Sequence, residues 1–136
     1  MQSAMARAAQ AYYQTQVTSQ SPLELVVMLY DGGLRFLRAA ADATRAGDLV
    51  AKRKAMSKAM AILSELQNTL NVAEGGEVAT RLDALYTYVS GRLIEANVNG
   101  DAAPIEEAIR LLKPLRDAWA EIASPGHPAT AGQGRR

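Results

Sequence analysis

SPLELVVMLYDGGLRFL, residues 21–37, sets both the start of a long helix and the division of its surface. Ser21 stands where an N-cap belongs, its hydroxyl able to accept from the backbone N–H of Glu24. Pro22 follows at the first helical position, where a missing N–H costs nothing. Ser21 and Glu24 also form the S-x-x-E capping box. At about 100° per residue, Leu23, Val26, Val27, Tyr30, Leu34 and Leu37 gather on one face. Glu24, Asp31, Arg35, Arg38 and Asp42 share a polar face. Leu25, Leu29 and Phe36 occupy a separate arc, flanked by Gly32 and Gly33. One apolar stripe suffices for a helix at the edge of a bundle. Two stripes place this helix against two neighbours, or leave the second arc for a partner helix that the glycines let approach closely.

The remaining chain continues in helices. Gly47 ends the first as a left-handed cap and Asp48 starts the second as an N-cap, so the two lie antiparallel. The second helix is expected from Leu49 to about Val72, with a stripe of Leu49, Met56, Ala59, Met60, Leu63, Leu66 and Leu70. A turn over 71–76 ends in Gly75-Gly76. The third helix runs from near Glu77 to near Val98, its core face carrying Val78, Leu82, Leu85, Tyr86, Val89, Leu93 and Ala96, with Asn99-Gly100 as stop signal. Tyr88 and Ile94 fall off that face. The fourth starts at Pro104 and presents Ile105, Ala108, Ile109, Leu112, Leu115 and Trp119, with a kink expected at Pro114. Residues 1–20 read as a cap or linker that either docks through Tyr12, Tyr13 and Val17 or extends freely. Residues 124–136, SPGHPATAGQGRR from Ser124 on, carry the composition of a disordered tail. The expected fold is all-α: an antiparallel up-down four-helix bundle over 21–123, with a short N-terminal cap segment and that tail.

Composition narrows the function. Of 136 residues, 49% are hydrophobic, enough for one domain with a substantial core. With 15 basic and 14 acidic residues the net charge is +1, which gives no electrostatic case for nucleic acid or an anionic membrane. The short Lys52-Arg53-Lys54 run reads as a solvated helix face. There is no cysteine, which removes disulfides, thiol catalysis and cysteine zinc sites. No stretch has the length of a signal-peptide core or a membrane span, so the protein is expected to be soluble and to stay in the compartment where it is made. The single histidine, His127, lies in the tail, away from any helix that could relay phosphate through it. No Glu-x-x-His pairs for a di-iron bundle, no zinc motif and no phosphate-cradling loop occur. Neither catalysis nor a cofactor nor a metal is implied. What is left over is apolar surface: the second arc, the tyrosine pair, and Tyr88 with Ile94. Grooves with such surface take amphipathic segments of other chains.

The strings AYYQTQV, SPLELVVMLYDGGLRFLRAA, KAMAILSELQNTLN, GGEVATRLDALYTYVSGRLIEANVNGD and IEEAIRLLKPLRDAW, with the spacings between them, resemble the flagellar export chaperone family FliS. The similarity covers roughly residues 11–122. The resemblance implies a cytoplasmic antiparallel four-helix bundle that is not an enzyme. It implies binding of the C-terminal segment of newly made flagellin, disordered when free, which forms helices on the bundle. Such binding prevents premature polymerisation and keeps flagellin competent for type III export. It also implies delivery to an export-gate component, admits other flagellar regulators as partners, and gives an N-terminal tyrosine, here Tyr12 or Tyr13, the part of a cover that moves aside. Residues 28–32 correspond to the family's MLYDG block. Partner contacts are expected at Tyr12, Tyr13, Leu25, Leu29, Tyr30, Phe36 and Ile94, with Tyr30 on the core face by periodicity. The alternative is a self-associating helical module whose second arc closes a symmetric homodimer.

Overall fold

The computed structural model describes residues 22–124. The N-cap and capping box proposed for Ser21, the Tyr12-Tyr13 segment and residues 125–136 lie outside the described residues. Four helices follow one another: α1 (Pro22–Ala46), α2 (Leu49–Asn68), α3 (Val72–Asn99) and α4 (Ala103–Ala123). α1 packs extensively on both α2 and α4, while α3 closes the ring through lighter contacts with the same two helices. α1 and α3 are therefore diagonal, and connectivity is up-down-up-down.

The short connections form as their residues dictate. Gly47 adopts φ +74° after α1, and the Asp48 carboxylate accepts from Ala51 N at 3.0 Å to cap α2. Gly100 takes φ +66° after α3, with its N–H returning to the Ala96 carbonyl. The α2–α3 connection departs from expectation. α2 stops at Asn68, four residues short of Val72, because two polar side chains intervene. Thr69 Oγ1 donates to the Leu66 carbonyl at 2.8 Å, and Asn71 Oδ1 accepts from Glu74 N at 3.1 Å, which starts a new helical turn. That turn breaks at Gly76, whose φ of 61° and ψ of −138° suit only glycine. From Glu77 onward α3 is regular.

The core is one cluster. Tyr30, Leu34 and Leu37 of α1 meet Met56, Leu63 and Leu66 of α2, Tyr86, Val89 and Leu93 of α3, and Ile105 and Leu112 of α4. Gly32 and Gly33 are buried against α2: a Cβ on either would meet Ile62 at 3.2 and 3.3 Å. The glycines thus admit the chain's own second helix, not a foreign one. Phe36 is half-buried, with the Lys58 ammonium of α2 5.4 Å and Arg35 5.3 Å from its ring centre. The second stripe of α1 is accounted for in part by these contacts.

Polar bonds tie other neighbouring pairs. Arg116 Nε donates to Asp31 Oδ1 at 2.7 Å across α4 and α1, and Arg45 to Glu106 at 2.8 Å near the other end. Gln67 reaches Asp83 at 2.9 Å from α2 to α3. Arg92 of α3 donates to Glu107 of α4 at 2.6 Å, and the Tyr88 hydroxyl donates to the same carboxylate at 2.7 Å.

Four sequence expectations are corrected. Leu49 and Val78 are 55% and 66% exposed, Leu49 as the first residue of α2 and Val78 two residues past the Gly76 break in α3. Lys52 is not solvated but 4% exposed. Its stem lies in the α2–α3 seam and its ammonium donates to the Asn97 carbonyl at 3.2 Å, near the C-terminal end of α3, where positive charge is favoured. Leu70 packs on the core from outside any helix. By contrast, α4 remains one helix through Pro114, as expected. Pro114 and Arg110 are both exposed, so the carbonyl that loses its donor faces water.

Candidate functional site

At the end of the bundle where α1 begins, the four helices do not close over the core. α1 offers Leu23 and Val26 there, α2 and its loop offer Leu66 and Leu70, α3 offers Val78 and Tyr86, and α4 offers Trp119. Between them lies an open, mostly apolar groove of about 430 Å³. The geometry follows from the connection just described. α2 ends early at Asn68, the chain breaks direction at Gly76, and Gly75 sits so close to Ala79 that a Cβ there would lie 2.6 Å from it. Glu74, Gly75, Val78 and Ala79, on both sides of the break, line the groove.

The floor of the groove is aromatic and carries hydroxyls. Tyr30 and Tyr86 are 1% and 2% exposed, and their hydroxyl oxygens are 2.5 Å apart. Burial pushes both phenols above the ordinary tyrosine value, so both stay protonated at any physiological pH. The Trp119 indole packs on the same core and lies close enough to the Tyr30 hydroxyl to influence its titration. Its Nε1 is closed to solvent.

The expected contact residues distribute as follows. Leu25 and Leu29 are half-buried on α1, the helix that forms one rim of the groove, and Phe36 lies further along the same helix against Lys58. Tyr30 belongs to the core, beneath the groove and not on its surface. Ile94 is 53% exposed on α3, the helix diagonal to α1, and so is not brought together with Leu25 and Leu29. It lies toward the other end of the bundle, with exposed Val98 and Val50, where the Lys52–Asn97 bond joins α2 and α3. Tyr12 and Tyr13 are outside the described residues. Sequence reasoning missed Val78 and Leu70 as groove residues, having assigned both to core stripes. It placed Trp119 correctly on the stripe of α4. The available signal was positional: apolar residues at the first or last turn of a helix line ends, not interiors.

Among the described residues no cluster of His, Cys, Asp and Glu could hold a metal ion, and no helix is long and apolar enough to cross a membrane. The described residues thus form an all-helical body with one core and an open apolar groove at one end. Residues 5–126 match the family described as "Flagellar protein FliS". The flagellar secretion chaperone FliS of Salmonella typhimurium is 41% identical over 116 residues, covering 85% of this chain and 86% of the relative. That of Bacillus subtilis is 35% identical over 124 residues, covering 91% and 92%. That of Campylobacter jejuni is 40% identical, covering 82% and 88%. The chain belongs to the FliS family, a family of chaperones and not of enzymes.

Proposed function

We propose that this chain is a cytoplasmic flagellar secretion chaperone whose client is the C-terminal segment of flagellin. The observation that carries the reading is an apolar groove left open on a bundle with one core, in a chain that matches the FliS family over residues 5–126. A client that is disordered when free lays the apolar side of a nascent helix into the groove and along the α1 face bearing Leu25, Leu29 and Phe36. Ordering the client costs conformational entropy, which lowers affinity per unit of buried area and makes release possible. While held, the client cannot pack with other flagellin subunits. Delivery to an export-gate component then follows release.

Residues 1–20 serve as a cover for the site. The chain enters α1 at Pro22, and Leu23, the next residue, lines the groove. The segment before it, with Tyr12 and Tyr13, is therefore tethered at the groove's edge and competes with the client. Competition of this kind divides the intrinsic affinity by the fraction of molecules with an open groove.

Calorimetry with the C-terminal peptide of flagellin, paired with circular dichroism, tests the reading. A one-to-one complex with a gain of helical signal beyond the sum of the parts supports it. A stable dimer of this chain that ignores the peptide removes it.

A further inference from the structure

Three of the four helix seams join polar groups that suit each other. Arg116 reaches Asp31 and Arg45 reaches Glu106 between α1 and α4, Arg92 reaches Glu107 between α3 and α4, and Gln67 reaches Asp83 between α2 and α3. The α1–α2 seam brings like charges together. The Arg35 guanidinium of α1 and the Lys58 ammonium of α2 stand 5.3 and 5.4 Å from the centre of the same ring, that of Phe36. Gly32 makes room for this. A Cβ there would lie 3.9 Å from Arg35 Nη2 and 3.2 Å from Ile62, so the guanidinium lies back over the place where α1 meets α2. Among the described residues neither cation forms an ion pair, and Glu65, seven residues after Lys58, pairs with neither.

In the free chain, water and the aromatic face hold both charges. A client helix lying along Leu25, Leu29 and Phe36 takes that water away. An apolar or basic side chain over Phe36 would then leave two positive groups desolvated and unpaired, which is costly. A carboxylate there meets both, in surroundings that the client itself has made less polar and where the attraction is stronger than in water. We infer that the α1–α2 face takes an acidic side chain of the client, a Glu or Asp set among apolar residues, held between Arg35 and Lys58 over Phe36. The inference rests on the client reading above and adds the charge that the client must bring. It also sets a distance. Leu23 lines the groove and Arg35 stands twelve residues on, about 18 Å along α1 at the helical rise. The acidic residue therefore lies that far from the apolar residues seated in the groove, and it fixes the register of contacts that are otherwise undirected.

The test is calorimetry of the full chain with the C-terminal peptide of flagellin. Arg35→Gln and Lys58→Gln should each weaken binding about three- to tenfold. Replacing one Glu or Asp of the peptide with its amide should weaken binding to the wild-type chain by a similar factor, and should do nothing further to the chain carrying both substitutions. Arg53→Gln is the control for net charge. Arg53 lies about 140° around α2 from Lys58, and its loss should leave binding unchanged. Circular dichroism establishes that each variant is folded, and the amide peptides measured against the wild-type chain decide the matter for any that is not. A peptide that binds the wild-type chain equally well with each of its carboxylates neutralised in turn overturns the inference and leaves the client reading standing. So does a loss on Arg53→Gln equal to that on Lys58→Gln, which would mark a general attraction and not a site. Absence of any peptide binding to the wild-type chain overturns both.

Discussion

At the scale of single residues, the bundle depends on a few positions where one atom more or less changes the outcome. Gly33 lies against Ile62 with room for no more than a tight Cβ. Gly33→Val forces α1 and α2 apart and is expected to destabilise the fold by about 1–3 kcal/mol, read as a lower urea midpoint at unchanged slope. An unchanged midpoint would mean that the helices approach through other residues. Glu107 accepts from Arg92 and from Tyr88, and the Arg92 bond is the larger cause holding its carboxyl below the ordinary glutamate value. A depressed carboxylate stabilises the fold above the unfolded-state pKa, and that contribution disappears as pH falls through the lower folded value. Melting temperature should therefore drop on acidification through this window, and Glu107→Gln should reduce the drop. Tyr30 and Tyr86 work in the opposite sense. Their raised values stabilise the fold below the ordinary tyrosine pKa of about 10, and stability falls as pH rises beyond it.

At the scale of elements, the helices were readable from their ends. The Gly47-Asp48 and Asn99-Gly100 pairs mark boundaries because a positive φ and a side-chain cap are local properties, decided within four residues. The α2–α3 connection was read less well. Asn71 capping Glu74 competes with continuing α2, and neither option is visible in apolar spacing. Lys52 sits in a run of three cations, and only the register of α2 on α3 turns one of them inward to Asn97. The site divides in the same way. The second stripe of α1 was legible, because periodicity reports how wide a helix's apolar surface is. The groove was not, because Leu70, Val78 and Trp119 come together only once the ends of three helices and a loop are in register. Pro114 supplies a prediction at this scale. α4 tolerates it on an exposed face, at the cost of one backbone bond. Pro114→Ala restores that bond and should raise stability by about 1–3 kcal/mol, read as a higher melting temperature. A lower one would show that the pyrrolidine ring packs favourably where it stands.

At the scale of the whole molecule, a helical body with one core carries an open apolar groove at one end. The described helices share one core, with residues from all four. Deleting residues 1–18 should therefore leave the melting temperature nearly unchanged and tighten binding of the flagellin peptide by removing a tethered competitor. A deletion that unfolds the bundle, or leaves affinity where it was, removes the cover from the account. The central claim is that the open groove belongs to flagellin's C-terminal segment. Sedimentation of the full chain with and without that peptide addresses it most directly. The account predicts a monomer that passes to a one-to-one complex, and a dimer that persists unaltered in the presence of peptide would contradict it.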